Sequence, residues 1–422
     1  MRKTFIWGSL AGAMLLLSPL AVAAAHADLV VDQRGGGDAR TIGEALEKLG
    51  AFSYPRIVIL VRNGVYAEKI RISRNYITLR GESRDSTIIR YPQLRSEWDA
   101  VRDCTGPAVV NIHGDDVILD NLTIENSQPE IGPHAFAVYG QGTRTIITNC
   151  TLLSKGADTV SLWDYKTGMY YHANCRFEGA VDFVCPRGWC FIRDSRFYEV
   201  KTSAALWHAG GYHPDQKLVV RNSDFDGAPG FKLGRHHYDA QFYLLDCRFS
   251  ENLADQPIYR KTYPEDTLRN NPAFFENRNY FHNSRKAGPP FSWLQDNLAN
   301  AAGTPAAGEI TAAWTFGGQW DPENEGPVAV VGVEIRGQRV ILTFEEIVSV
   351  RGNPVFANAA GQTFRIFRER YLDINRLTFI GEGAFSAADL SGPLRLVSGD
   401  IIASKAYCTD RSIGANFAIP AL

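Results

Sequence analysis

Short runs in which apolar and polar residues alternate recur along much of the chain. Six of them open alike: Asn121-Leu-Thr-Ile, Asn149-Cys-Thr-Leu, Asn174-Cys-Arg-Phe, Asp194-Ser-Arg-Phe, Asn222-Ser-Asp-Phe and Asp246-Cys-Arg-Phe. Their first residues are 20 to 28 positions apart. Each joins a side chain able to bond a turning backbone to a strand-like alternation. A second β-rich run precedes most of them, such as Asp116-Val-Ile-Leu, Thr145-Ile-Ile-Thr, Leu218-Val-Val-Arg and Gln241-Phe-Tyr-Leu-Leu. One such unit cannot bury its inner face, but a stack of them can. The pattern predicts coils of a parallel β-helix, with loops of unequal length leaving a common core. Residues 56–62, 69–72 and 76–80 fit as earlier strands. One helix is expected, over residues 41–49, opened by a capping box of Thr41 and Glu44 and placed over the open end of the stack.

The repeat fades after Phe249. Residues 252–283, rich in Pro, Asn and aromatics, are expected to wrap back over the stack. The Ala/Gly/Pro-rich residues 301–308 read as part of a linker. From Gly326 the alternation returns, in Val328-Ala-Val-Val-Gly-Val-Glu-Ile, Arg339-Val-Ile-Leu-Thr-Phe, Thr363-Phe-Arg-Ile-Phe and Leu394-Arg-Leu-Val, divided by Gly, Pro and Asn turns. These predict a small β-sandwich. The expected class is all-β: a β-helix over 28–299, a linker over 300–325 and a sandwich over 326–422.

Arg2 and Lys3, an apolar run broken by Pro19, and the small-x-small triplet Ala25-His26-Ala27 read as a signal peptide over residues 1–27. A secreted or periplasmic protein is expected. The net charge of −2 and the lack of a basic run argue against nucleic-acid or anionic-membrane partners. Seven cysteines leave at least one unpaired. Cys185 and Cys190 could close a small loop. Cys150, Cys175 and Cys247 share one place in the repeat and read as buried small hydrophobes.

Asp158 and Asp182 are 24 residues apart, one coil. Equivalent positions on adjacent coils lie about 4.8 Å apart. Two carboxylates that close split their proton affinities, so one can stay ionised while the other keeps a proton. Arg235 follows two coils later and could clamp the ionised one. For either aspartate taken alone, a turn or solvated residue is the plainer reading. Trp163, Trp189 and Trp207 fit a groove or a core equally, and Tyr170-Tyr171-His172 reads as strand surface.

With these residues in view, the chain from Leu29 to about Trp293 resembles the pectin methylesterase family, exported carbohydrate esterases built on a right-handed parallel β-helix. The resemblance rests on Gly35-Gly-Gly-Asp-Ala-Arg-Thr-Ile-Gly-Glu-Ala, Asn63-Gly-Val-Tyr-Ala-Glu-Lys-Ile, Gly156-Ala-Asp-Thr-Val, Gly179-Ala-Val-Asp-Phe-Val and Leu233-Gly-Arg, in that order. It implies Asp182 as nucleophile, Asp158 as acid and base, and Arg235 as the clamp. It also implies pectin or a related polyuronate as substrate, a monomer, and no metal or cofactor. His237, Ala157, Phe183 and Trp207 fall in its substrate groove. The chain departs from the pattern at the site. Ala157 and His134 stand where the family has glutamines, one of which helps hold the oxyanion. His236 and His237 replace proline and tryptophan, and Cys185-Pro186 replaces a segment bearing glycine. His134 can donate a hydrogen bond in place of an amide. Two other readings stay open: an esterase or thioesterase on a different acyl group, and a polysaccharide-binding β-helix without catalysis.

Overall fold

The computed structural model describes residues 26–275, 278–367 and 375–420. The proposed signal segment lies almost wholly outside them. Three parallel sheets of ten, eight and nine strands run side by side along the chain axis. Each coil visits them in turn: Thr145–Thr148 in the first, Thr151–Ser154 in the next, Val160–Leu162 in the third. This is a parallel β-helix, as the repeat predicts.

The six repeat-opening residues form the corner between the first two strands of a coil. All six have positive φ, from 45° at Asn222 to 59° at Asn121. That left-handed turn is costly for most side chains and mildest for Asn and Asp. Their side chains also link successive coils. Asn149 Nδ2 donates to Asp120 Oδ1 at 2.9 Å, Asn174 Nδ2 to Asn149 Oδ1 at 2.8 Å, and Asn222 Nδ2 to Asp194 Oδ1 at 2.6 Å. The next residue, buried in every case, is Cys150, Cys175 or Cys247, all free thiols, in three of the six coils and Leu122, Ser195 or Ser223 in the others. Two positions further on, Phe177, Phe197, Phe225 and Phe249 stack ring on ring through the core, with neighbouring centroids 4.2 to 5.3 Å apart.

The helix Ile42–Glu47 carries the expected capping box of Thr41 and Glu44 and passes into a 3₁₀ turn over Lys48–Ala51. The repeat does not end at Phe249. Tyr259–Arg260, Arg278–His282 and Arg285–Lys286 each join one sheet of the stack. They make a further coil, masked in the sequence by the long loops between its strands.

Residues 300–325 are not a free linker. Ala301, Ile310, Ala312, Phe316 and Trp320 are buried against Ile146, Tyr171, Phe191, Val219 and Tyr243 on the outer face of the first sheet. That sheet is therefore covered on both faces, and its strands read as unbroken apolar runs. The same cover buries the Tyr170-Tyr171-His172 segment expected at the surface. Tyr170 points into the coil core, and Tyr171 packs under residues 300–325.

The C-terminal unit has one continuous antiparallel sheet of seven strands among the described residues. Residues from every strand, including Val340, Phe356, Phe364, Phe379 and Ile401, meet in one core, so the sheet curls around its own apolar face. Its longest strands, Val348–Ala357 and Leu394–Ala403, pair through register shifts that bend them. The unit is bonded to the β-helix. Arg56 is buried, with Nε and Nη2 donating to Ser404 O and Nη1 to Thr78 Oγ1. Arg351 pairs with Asp28 at 2.8 Å.

Candidate active site

Asp158 and Asp182 each stand two residues before a third-sheet strand, Val160–Leu162 and Val184–Pro186. Val160 is in register with Val184, so the two carboxylates face out on adjacent coils. Both aspartates have left-handed backbones, with φ 62° and 58°. Val181 joins them at 46°, a strained value for a β-branched residue. Such strain costs on the order of 1–3 kcal/mol and persists only where surroundings enforce it. The neighbouring coils do so: Asp158 N–H donates to Val181 O at 3.1 Å and Asp182 N–H to Ala204 O at 2.6 Å. Gly179 lets the coils close here, since a Cβ on it would lie 2.1 Å from Thr159 Oγ1.

Arg235, in the strand Lys232–His236, reaches back over two coils to Asp182. Its Nε lies 2.8 and 3.1 Å from the two carboxylate oxygens, and Nη2 lies 2.8 Å from Oδ2. The geometry is bidentate. Burial pushes Asp182 up to about 6, while Arg235 pulls against that rise. Asp158 has no such clamp. Burial, and then the charge of Asp182, push it up to about 8. Near neutral pH the pair therefore holds one ionised and one protonated carboxyl group.

His134 Nε2 lies 3.8 Å from Asp158 Oδ2, and burial with Arg95 and Arg235 favours the neutral imidazole. Trp207 Nε1 donates to His237 Nδ1 at 2.7 Å. Because an indole nitrogen only donates, His237 must keep Nδ1 bare. Burial followed by Arg235 holds it down to about 4. Tyr263 stacks on its ring at 6.2 Å. These groups, with Arg95, Trp163, Cys185 and Arg187, line a cleft of about 330 Å³.

Of the residues expected here, Asp158, Asp182, Arg235, His134, His237 and Trp207 come together. Ala157 and Phe183 do not line the cleft. Phe183 is fully buried and packs toward Phe197, because the left-handed turn at Val181 and Asp182 turns the next side chain into the core. Ala157 is buried and engaged through its backbone with Pro133 and Ala135. Cys185 and Cys190 are free thiols, and no loop is closed between them. Cys185 lies 2.9 Å from Ser161 Oγ, and burial with the Asp158 charge keeps it a thiol.

Sequence reasoning missed Arg95, Arg187 and Tyr263. Arg95 opens the short helix Arg95–Val101 in a loop between sheets. Tyr263 comes from the irregular loop of the last coil. Arg187 had a signal: it follows Cys185-Pro186, where the chain departs from the pectin methylesterase pattern. Its guanidinium lies 4.4 Å from the Trp163 ring and 5.6 Å from that of Trp207. Those two tryptophans thus belong to the cleft. Trp189 instead packs on the outer face of the first sheet.

The family model described as Pectinesterase matches residues 28–206, which hold both aspartates. Over these residues the chain is similar to the pectinesterase family. Probable pectinesterase A of Aspergillus niger is 32% identical over 154 residues, 35% of this chain and 45% of that protein. Probable pectinesterase 49 of Arabidopsis thaliana is 29% identical over 166 residues, 38% of this chain and 44% of that protein. The chain spans about half the length of the curated relatives it matches. Among solved structures, the pectin methylesterase of Erwinia chrysanthemi superposes with a TM-score of 0.57 at 22% identity, covering 71% of this chain and 99% of that one. A pectin methylesterase in complex with a hexasaccharide gives the same TM-score and identity. These likenesses bear on the fold. The pectinesterase match ends before Arg235 and the C-terminal sheet.

Proposed function

We propose that the chain is an exported, pectinesterase-like hydrolase that removes methyl esters from galacturonan through an aspartyl acyl-enzyme. One observation carries this reading: two facing carboxyl groups on adjacent coils, of which Arg235 clamps only Asp182, so that Asp182 keeps the lower proton affinity and Asp158 the higher.

The ionised Asp182 attacks the ester carbonyl carbon. The tetrahedral oxyanion collapses, the bond to the methoxyl oxygen breaks, and Asp158 gives that oxygen its proton. Methanol leaves, and the substrate acyl group stays on Asp182 as an anhydride. Asp158, now ionised, takes a proton from water as the water attacks the substrate acyl carbon. The products are the galacturonic acid group, which releases its proton to solvent, ionised Asp182 and reprotonated Asp158. Neutral His134, beside Asp158, supplies a donor for the oxyanion; losing one such donor costs about 3–4 kcal/mol. Arg95, Arg187 and Arg235 give the cleft a positive field suited to an anionic polymer.

The test is methanol release from highly methylated pectin by the purified protein, beside Asp182→Ala. Release by the wild type alone supports the esterase and its nucleophile together. No release from a folded wild type, across several methylation levels, removes this reading.

A further inference from the structure

The last residues of successive second-sheet strands, Asn126, Ser154, Gly179, Glu199 and Gly227, stand in one buried column. The column marks the corner where each coil turns toward the third sheet and the cleft. Its polar members serve the backbone of that corner. Each takes the N–H two residues on: Gln128 N–H on Asn126 Oδ1 at 3.4 Å, Gly156 N–H on Ser154 Oγ at 2.9 Å, Lys201 N–H on Glu199 Oε1 at 2.9 Å. The first two also reach back to the preceding coil. Asn126 Nδ2 donates to Gln93 O and Ser154 Oγ to Ala135 O, each at 2.8 Å.

The coil that carries Asp182 has no such side chain of its own, because its place in the column is Gly179. A Cβ there would lie 2.1 Å from Thr159 Oγ1 and 2.4 Å from Phe183 Cβ. Yet its corner holds two left-handed residues in succession, Val181 and Asp182. Backbone strain of this kind persists only where surroundings enforce it. Glu199 comes from the coil beyond, in register with Gly179 on one side and Gly227 on the other. It is fully buried, it does not line the cleft, and no step of the proposed reaction uses it. The Val181 N–H is the other backbone dipole acting on its carboxyl group, whose Oε2 has no close hydrogen-bond partner among the described residues. Asp182 N–H in turn donates to Ala204 O, three residues past Lys201. The carboxyl, residues 201–204 and the Val181–Asp182 pair thus close a ring around the backbone of the proposed nucleophile. Burial pushes Glu199 up to about 8; the Lys201 N–H opposes that rise and the Asp182 charge adds to it. In its neutral form the group supports the corner without a second negative charge behind Asp182.

We propose that Glu199 is a positioning residue for Asp182: from the next coil it braces the left-handed corner that Gly179 leaves unsupported, and so holds the carboxylate in the fork of Arg235. The inference rests on the proposed role of Asp182, but its first readout needs no turnover.

The experiment compares hydrogen exchange and methanol release in the full chain carrying Glu199→Met or Glu199→Gln. Methionine fills a similar volume and offers only a weak acceptor, whereas glutamine keeps a carbonyl. In Glu199→Met the amides of residues 181, 182 and 201 should exchange about tenfold faster, the scale of one hydrogen bond, while those of residues 145–153 keep the wild-type rate. The kcat for methanol release should fall about 10- to 100-fold with KM unchanged, since the cleft walls are untouched and only the attacking group is misplaced. Glu199→Gln should lie between on both scales, and it carries the comparison alone if Glu199→Met does not fold. Wild-type exchange at residues 181 and 182 in a folded variant, or a rise spread equally through all coils, overturns the proposal. So does a raised KM at constant kcat. A wild type that releases no methanol sinks the esterase, and the brace is then decided by exchange alone.

Discussion

Replacing Arg235 with glutamine isolates the device that keeps Asp182, the proposed nucleophile, ionised. Three nitrogen–oxygen contacts of 2.8, 3.1 and 2.8 Å join the guanidinium to a carboxylate whose side chain is 8% exposed. A hydrogen bond to a charged group contributes about 1.5–3 kcal/mol, and about 1.4 kcal/mol corresponds to one pKa unit. Burial stays when the cation goes, so Asp182 should climb from about 6 to roughly 7–8. That meets Asp158, which stands at about 8. Two facing carboxyls of equal affinity share one proton, and the state with Asp182 ionised and Asp158 protonated is no longer dominant. The wild-type pH profile of kcat/KM for methanol release should be a bell with limbs near 6 and 8. In Arg235→Gln the acidic limb should move up by at least about one pH unit, and the maximum should fall about 10- to 100-fold. Arg235→Lys keeps the charge but not the fork, and should lie between. Infrared titration of the buried carboxyls follows the same shift without turnover. An acidic limb that stays where the wild type has it, in a folded variant, refutes the argument.

Other consequences follow from the same structure. Burial raises Asp158 from 3.8 to about 8, so the folded chain keeps a proton that the unfolded chain releases. Stability due to this group therefore falls as pH rises between those values, and Asp158→Asn should melt higher than the wild type at pH 8 and about equally at pH 4, by calorimetry. Asn149→Ala forces a residue with φ 55° to lose both its left-handed tolerance and its links to the neighbouring coils, and should cost about 1–2 kcal/mol in urea unfolding. Of the seven thiols, Cys104 is the exposed one. A thiol reagent should modify it quickly in the native protein and reach the five buried thiols only in denaturant; fast modification of Cys185 would contradict its burial.

The β-helix was legible because its repeat is physical at each position. Asn149 and Asn174 are where the backbone turns left-handed, the cysteines that follow them are buried, and Phe177 and Phe197 stack into one column. The spacing of Asp158 and Asp182 carried over directly, because one coil equals one strand spacing. What misled was cover and loops. Residues 300–325 looked like a linker since their composition is weak, and their burial depends on the outer face of a sheet whose strands lie far back in the chain. Phe183 was misplaced by adjacency: one step along the left-handed turn that precedes the strand exchanges the cleft for the core. Arg95 and Tyr263 reach the cleft from loops whose length follows no repeat.

The residues that depart from the pectin methylesterase pattern then make sense as a connected set. His237 accepts from Trp207, whose ring, with Trp163, flanks Arg187. Each step alters the next: a histidine in place of a tryptophan holds the indole of Trp207, and that indole holds an arginine in the segment that replaces the family's glycine. Changing His237 to tryptophan alone should therefore not restore the family's groove. It removes the acceptor for Trp207 Nε1 and leaves that donor, in a 7% exposed residue, without its partner. The variant should lose substrate affinity, read as a raised KM, and Arg187→Ala in the same background should add less than it does alone, because the two act on one support. Strict additivity of the two changes would show that the histidine and the arginine serve the cleft independently.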